Sequence, residues 1–186
     1  MKKLISIILV GFICVLGSSV VFAEEAPQAV KDLAATKLAA YGSDPVIVAA
    51  VKEQNAMGKS LDDIKAMDKK WQETAGVDSY MKSLMESACG KHLGEILGSQ
   101  AYFAEIFVMD NQGANVAMTG KTSDYWQGDE AKFAKSFADG AGAVFVDEVE
   151  FDDSSQAYLV QVSVPVMEAG KAIGAITFGI DVEKVE

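Results

Sequence analysis

The residues of this chain best suited to binding chemistry lie in the polar segment 121–130, around the adjacent rings of Tyr125 and Trp126. Lys121, Ser123 and Asp124 place an ammonium, a hydroxyl and a carboxyl group just before the rings. Such a segment can give a binding pocket an aromatic wall and polar contacts. Tyr and Trp in a loop also commonly close the rim of a hydrophobic core, so the segment alone leaves both roles open.

Catalytic chemistry has fewer candidates. Cys89 and the single histidine, His92, are three residues apart, a spacing that puts both on one face of a helix. They could share a metal ion, but a stable site usually needs three or four ligands. No nucleophile-base-acid set, phosphate loop or haem-attachment motif accompanies them. The sequence therefore predicts no enzyme, no cofactor and no metal site, with a buried Cys beside a surface His as the simpler interpretation.

A period of two in the second half predicts the β-strands that must position the polar segment. The expected strands are 102–109, a short one through 116 and 118, 144–151, 156–166 and 171–180, with a helix at 129–137. Turn-forming sequences at 110–113, 152–155 and 168–170 join them as hairpins. An antiparallel sheet is the expected result.

The last two strands have faces of different chemistry. Residues 158, 160, 162 and 164 carry large apolar groups on one face, while Gln161 and Ser163 lie on the other. Thr177 and Asp181 likewise oppose the apolar groups of the last strand. This polar face could meet water, or it could form the floor of a pocket roofed by segment 121–130.

The N-terminal half has helical spacing. Four helices are expected, at 27–41, 45–55, 60–75 and 78–97, and capping residues or glycines mark their ends. Gly90, Gly94 and Gly98 recur every four residues in the last helix. They could admit a second backbone, but a helix stop at Gly98 with two weakening interior glycines is the simpler interpretation.

The first residues have the pattern of a signal peptide. Lys2 and Lys3 precede an apolar run from Leu4 to about Val21, and Val21-Phe22-Ala23 carries small residues at the positions that a signal peptidase reads. Cleavage near Ala23 and a periplasmic or secreted location are expected, with an uncleaved membrane anchor as the alternative. Residues 24–186 then have the ordinary size of one domain.

Charge and composition exclude some partners. The formal net charge of -11 makes nucleic acid and anionic lipid poor partners. With only Cys89 outside the leader, an internal disulfide is excluded. Every basic residue is Lys, so the bidentate grip of Arg on carboxylates is absent.

Several motifs together resemble the Cache or PDC family of extracytoplasmic sensor domains. They are the strand 104–110 with its Asn-Gln-Gly turn, the segment 123–130, and the closing strands at 151–155, 162–166 and 173–181, in that order. The match covers roughly residues 64 to 185. The resemblance implies an α+β fold with a PAS-like five-stranded antiparallel sheet, long N-terminal helices packed on one face, and a small-molecule pocket on the other.

The resemblance also implies ligands and roles. Amino-acid-binding members hold the ligand carboxylate with an Arg followed by adjacent aromatics, and its ammonium with an Asp that ends the last strand. Tyr125, Trp126 and Asp181 resemble these parts, but the Arg is missing, which leaves Lys121, hydroxyls or backbone amides for an anion. Family members in receptors continue into a membrane helix, whereas this sequence ends at Glu186, so a free binding module is expected.

The sequence thus predicts a leader at 1–23, a helical part at 24–100 and a sheet core at 101–186. The predicted function is to bind a small polar metabolite, of the amino acid, carboxylate or amine class, and to present it to a membrane receptor. The alternative is a ligand-free structural or interaction module, and a homodimer through the N-terminal helices is a further expectation. The predicted ligand site comprises Lys121, Ser123, Asp124, Tyr125, Trp126, Tyr158, Gln161, Ser163, Thr177 and Asp181.

Overall fold

The computed structural model describes residues 24–152 and 156–185, so the predicted leader lies outside the described residues. Its centre is a five-stranded antiparallel sheet in the order β2-β1-β5-β4-β3. The strands are β1 (Phe103–Met109), β2 (Asn115–Met118), β3 (Phe145–Asp152), β4 (Ala157–Glu168) and β5 (Lys171–Asp181). The α+β fold with one five-stranded antiparallel sheet is confirmed.

Register follows the alternation of the sequence. Val160, Val162 and Val164 pair with Ile180, Phe178 and Ile176. These side chains are buried on one face of the sheet, which we call the apolar face. Gln161 and Ser163 pair with Gly179 and Thr177 on the opposite face, which we call the polar face.

The first helices cover the apolar face. They are α1 (Gln28–Thr36), a 3₁₀-helix (Leu38–Ser43) and α2 (Pro45–Ala56), followed later by α5 (Ala88–Gly98). Asp44 begins α2, since its side chain accepts hydrogen bonds from two backbone amides of the first turn. Leu38, Ile47 and Leu93 are fully buried in the resulting core.

Part of the polar face is also covered. The helix α3 (Leu61–Glu73) contributes Ile64 and Trp71 to a second apolar cluster, and α6 (Ala131–Phe137) contributes Phe133. On the sheet, Phe107 and Met109 of β1 belong to the same cluster. This second core leaves only a part of the polar face open for other functions.

The predicted helix at 78–97 is wrong as one continuous element. The chain forms α4 (Ser79–Glu86) and then α5, because Ser87 has an extended backbone and its hydroxyl caps α5 by accepting from Gly90 N at 2.9 Å. A Cβ added at Gly90 would clash with the carbonyl oxygens of Leu84 and Met85. Gly90 therefore does admit a second backbone, whereas Gly94 faces open space.

The expected helix at 27–41 also ends early. It passes at Lys37 into the 3₁₀-helix, in which Gly42 packs directly on the backbone carbonyl of Pro165 in β4. The tighter winding of the 3₁₀-helix brings the backbone at Gly42 close to the sheet. Among the described residues, none of the helices is long and apolar enough to cross a membrane.

Candidate ligand-binding site

The helix α3 fastens the polar segment 121–130 to the fold. Asp68 Oδ1 accepts hydrogen bonds from the backbone amides of Tyr125 (2.8 Å) and Trp126 (3.1 Å). One turn later, Trp71 Nε1 donates to the carbonyl oxygen of Thr122 (2.8 Å). These bonds hold the segment at three backbone positions, so its side chains have set directions.

Tyr125 points into the second core. Its side chain is buried and its ring packs against Trp71 and Tyr80, with centroid distances of 5.5 and 5.9 Å. Its hydroxyl lies 3.4 Å from Gln54 Nε2 and 3.4 Å from Lys59 Nζ. Burial, followed by the hydrogen bond with Tyr80, raises the pKa of Tyr125 far above its ordinary value, which keeps the phenol protonated.

Trp126 takes a different direction. Its Nε1 donates to the Gln112 carbonyl oxygen at 2.8 Å, and Lys65 Nζ lies 4.4 Å from the ring centroid. Trp126 and Asp124 line a surface depression beside α3. Asp124 there accepts a hydrogen bond from Gln72 at 2.6 Å, so both side chains already have protein partners.

A cavity of about 380 Å³, which we call the polar cavity, lies on the open part of the polar face. Its floor is formed by Glu105 and Phe107 of β1 and Gln161 of β4. Gln161 Nε2 donates to Glu105 Oε1 at 3.0 Å. A Cβ added at Gly179 would lie 2.6 Å from Glu105 Cγ, so the glycine allows the Glu105 side chain to lie across β5.

Segment 121–130 forms one wall of the polar cavity through Lys121, Thr122, Ser123 and Gln127. Lys121 Nζ donates to the Thr74 carbonyl oxygen at 2.7 Å, so its charge is anchored at the wall. The volume lies in the range of small-molecule sites, while the lining is mainly polar and charged.

The opposite side of the cavity carries charge of both signs. Lys132 of α6 and Asp152 at the end of β3 line it, and Lys132 pairs with Glu130 at 2.8 Å. Beyond this side, an adjoining space of about 340 Å³ shares Lys132, Asp152 and Gln161 with the polar cavity. We call this space the acidic cavity because Asp147, Glu148 and Glu150 of β3 line it.

Glu105 is the chemically distinctive group of the site. Burial raises its pKa above the ordinary glutamate value, and the charge of Asp152 adds to the rise. The hydrogen bond from Gln161 and the charge of Lys132 oppose the rise but do not cancel it. The ionised form of Glu105 is therefore under-solvated, and a ligand that carries a positive charge or hydrogen-bond donors would stabilise it.

Ser163 and Thr177 lie elsewhere on the polar face. Their hydroxyl oxygens are 2.8 Å apart, and both residues are fully buried. The strands β4 and β5 that carry them also pack against α6, and neither residue lines the polar cavity. The pair satisfies two polar groups inside the fold.

Asp181 and Tyr158 are also outside the polar cavity. Asp181 pairs with Lys184 at 2.7 Å and accepts from Glu183 N at 3.1 Å, which caps the 3₁₀-helix Val182–Lys184. Tyr158 is half exposed, and its ring packs edge-on against Phe151 with centroids 5.2 Å apart.

The structure thus brings Lys121, Ser123 and Gln161 together and separates the other predicted site residues from them. Sequence reasoning missed Glu105, Gln127, Lys132 and Asp152. One signal could have identified Glu105, because it is an acidic residue inside an otherwise apolar central strand.

Cys89 and His92 lie on the apolar-face side of the molecule. Burial and the charge of Asp44 raise the pKa of the Cys89 thiol to about 12. His92 Nε2 lies 2.9 Å from Asp44 Oδ2 and joins α5 to the start of α2. Within residues 24–152 and 156–185, no three His, Cys, Asp or Glu side chains are grouped to hold a metal ion.

No family model matches the chain, and no curated protein matches it. Solved structures do show similarity. The ligand-binding domain of the Campylobacter jejuni chemoreceptor Tlp3, in complex with 4-methylisoleucine, is 15% identical with a TM-score of 0.43 over 85% of this chain. The sensor domain of the V. cholerae histidine kinase DctB is 14% identical with a TM-score of 0.37 over 74% of this chain.

A third solved structure is the ligand-binding domain of the Pseudomonas aeruginosa PAO1 amino acid chemoreceptor PctC in complex with GABA. It is 14% identical with a TM-score of 0.36 over 77% of this chain. The chain spans 60%, 58% and 62% of the lengths of these three structures.

Proposed function

We propose that this protein is a small-molecule-binding module of the sensory type and that its ligand occupies the polar cavity. The observation that carries the proposal is the Glu105–Gln161 pair on the floor of a cavity of about 380 Å³. A partly buried carboxylate with a raised pKa in a cavity is a typical feature of a functional site. Enclosure by a sheet, a helix and a fastened segment gives the ligand a preformed site.

The rigid fastening of segment 121–130 supports the same proposal. Asp68 and Trp71 hold its backbone, so Ser123 and Gln127 keep their places at the cavity wall without a ligand. Preorganisation lowers the entropic cost of binding. Lys121, Ser123 and Gln161 are the predicted site residues that we retain in the proposal.

The alternative from the sequence, a ligand-free interaction module, is favoured by an empty pocket or by one filled by Tyr125 and Trp126, whereas a cavity lined by Asp181, Gln161 and Ser163 favours ligand binding. Of these three residues, Gln161 lines the polar cavity and the other two do not. Tyr125 does fill core space, but neither ring lines the polar cavity. The open cavity favours ligand binding. A periplasmic or secreted location, presentation of the ligand to a membrane receptor and a homodimer stay predictions from the sequence.

A thermal-shift screen of the purified protein against amino acids, carboxylates and amines tests the proposed function. A ligand that binds only the folded state raises the melting temperature. Gln161→Ala should reduce the shift because it removes a hydrogen-bonding group from the cavity floor. Gln100→Ala, an exposed glutamine outside the cavity, is the matched control and should leave the shift unchanged. A shift that Gln161→Ala leaves intact would place the ligand elsewhere and overturn the proposal.

A further inference from the structure

The combined charge of the two adjoining cavities is strongly negative. Their linings include six carboxyl groups, on Glu105, Glu130, Asp147, Glu148, Glu150 and Asp152. Among the described residues that line them, Lys121 and Lys132 alone contribute positive charge. Low-dielectric walls focus such a potential, so the cavities would concentrate cations and repel anions.

The two lysines are already engaged. Lys121 Nζ donates to the Thr74 carbonyl oxygen, and Lys132 pairs with Glu130. A ligand carboxylate would have to compete with these contacts and also enter a site of like charge. Without Arg in the chain, no guanidinium replaces them.

Acceptors, in contrast, are available. In the part of the chain that the structure describes, Gln161 is the one group that donates a hydrogen bond to Glu105. Gln127 also lines the polar cavity and is 1% exposed. Its Nε2 donates to the Asp124 carbonyl oxygen at 2.8 Å, and among the described residues its buried Oε1 has no donor.

An unpaired buried acceptor destabilises the fold, so it favours a ligand that brings a donor. An ammonium group supplies both a positive charge for Glu105 and N–H donors for Gln127 Oε1. Among the described residues, no carboxylates are grouped as metal ligands, which favours an organic cation over a metal ion.

We propose that the polar cavity selects a primary amine that carries no carboxylate, with Glu105 as its counter-ion and Gln127 Oε1 as an acceptor. This inference rests on the proposed function, because it names the ligand class of the same cavity. Of the three ligand classes predicted from the sequence, which are amino acids, carboxylates and amines, the amines are the class that we propose. Amino acids and carboxylates are expected to bind more weakly than amines.

Isothermal titration with a matched series tests the inference. Butylamine and 1,4-diaminobutane are cationic, 4-aminobutyrate is zwitterionic, and butyrate and succinate are anionic, with chains of the same length. We expect the two amines to bind most tightly and the two anions to bind least. Glu105→Gln should weaken amine binding about ten- to a hundredfold, the range for a lost hydrogen bond to a charged group.

Glu86→Gln is the control variant, because it removes one negative charge at an exposed position outside both cavities. It should leave amine affinity within about twofold of the original, since exposed charges act weakly at a distance. A thermal melt of Glu105→Gln shows whether that variant is folded. Amine binding that Glu105→Gln leaves unchanged would overturn the inference.

The other outcomes separate the inference from the proposed function. If succinate or butyrate binds more tightly than the amines, and Gln161→Ala weakens that binding, the charge preference is wrong but the cavity is still the site. If no compound of this series binds, the inference is wrong, and the thermal-shift screen decides whether the proposed function is wrong as well.

Discussion

Glu105 is the residue on which the account depends most. A carboxylate in a central strand is costly, and here it is tolerated because Gly179 makes room for it and Gln161 donates one hydrogen bond to it. Nothing in the apolar packing requires an acid at this position. The cost is understandable if the carboxylate serves a ligand.

The raised pKa of Glu105 predicts how this residue affects stability. A carboxyl group whose pKa is higher in the folded state gives its full stabilisation below the unfolded-state pKa, and that stabilisation is lost as pH rises through the folded-state pKa. At neutral pH the ionised Glu105 therefore destabilises the unliganded fold. Glu105→Gln removes the charge and keeps an oxygen that Gln161 can donate to.

Glu105→Gln should consequently raise the melting temperature of the unliganded protein at neutral pH. The difference from the original protein should shrink as pH falls below the ordinary glutamate pKa, because both side chains are then neutral. Melting curves across this pH range provide the measurement, with Glu86→Gln as the control for net charge. A lower melting temperature for Glu105→Gln at neutral pH would show that the carboxylate stabilises the fold.

At the level of elements, the contact between α4 and α5 depends on one glycine. Ser87 separates the two helices, and Gly90 allows the backbone at Leu84 and Met85 to approach α5 closely. Gly94 belongs to the same helix but meets nothing within 4 Å. Substitutions at these two glycines therefore distinguish the effect of close packing on stability from the effect of helix propensity.

Gly90→Ala should lower the free energy of unfolding, by about 1–3 kcal/mol, the typical cost of overpacking. Gly94→Ala should raise it by up to about 1 kcal/mol, because alanine is the better helix former and the site has space. Urea denaturation of both variants measures the two effects. Equal effects of the two substitutions would contradict the close approach at Gly90.

The fastening of segment 121–130 to α3 is also an element-level feature. Asp68 accepts from two successive amides, and Trp71 reaches the same segment one turn away. Trp71 packs in the second core, and together with Asp68 it also holds the backbone of the cavity wall. The directions of Tyr125 and Trp126 follow from this contact.

For the whole molecule, local patterns predicted the sheet well. Alternating apolar residues in β4 and β5 place Val162 and Phe178 on one face and Gln161 on the other, as observed. The continuous helix at 78–97 was wrong because Ser87 can either continue a helix or cap a new one, and its neighbours in space decide between these roles.

The candidate site could be predicted only in part, since its geometry depends on contacts between distant residues. The sequence located the wall segment, but Asp68 is needed to turn Tyr125 into the core. Asp181 lies at the end of β5, where the sequence predicted a ligand contact. Its carboxylate instead pairs with Lys184 and accepts a hydrogen bond from the backbone amide of Glu183. Glu105 was missed because its partner Gln161 is on a non-adjacent strand.

A ¹H–¹⁵N NMR titration of the purified protein with 1,4-diaminobutane tests most directly whether the polar cavity binds an amine. We expect the largest shifts at the amides around Glu105, Gln127 and Gln161, and Glu105→Gln should require about ten- to a hundredfold more ligand to reach the same shifts. Shifts confined to the apolar groove between α2 and α5, around Val46 and Cys89, would contradict amine binding in the polar cavity, as would unchanged spectra at millimolar ligand.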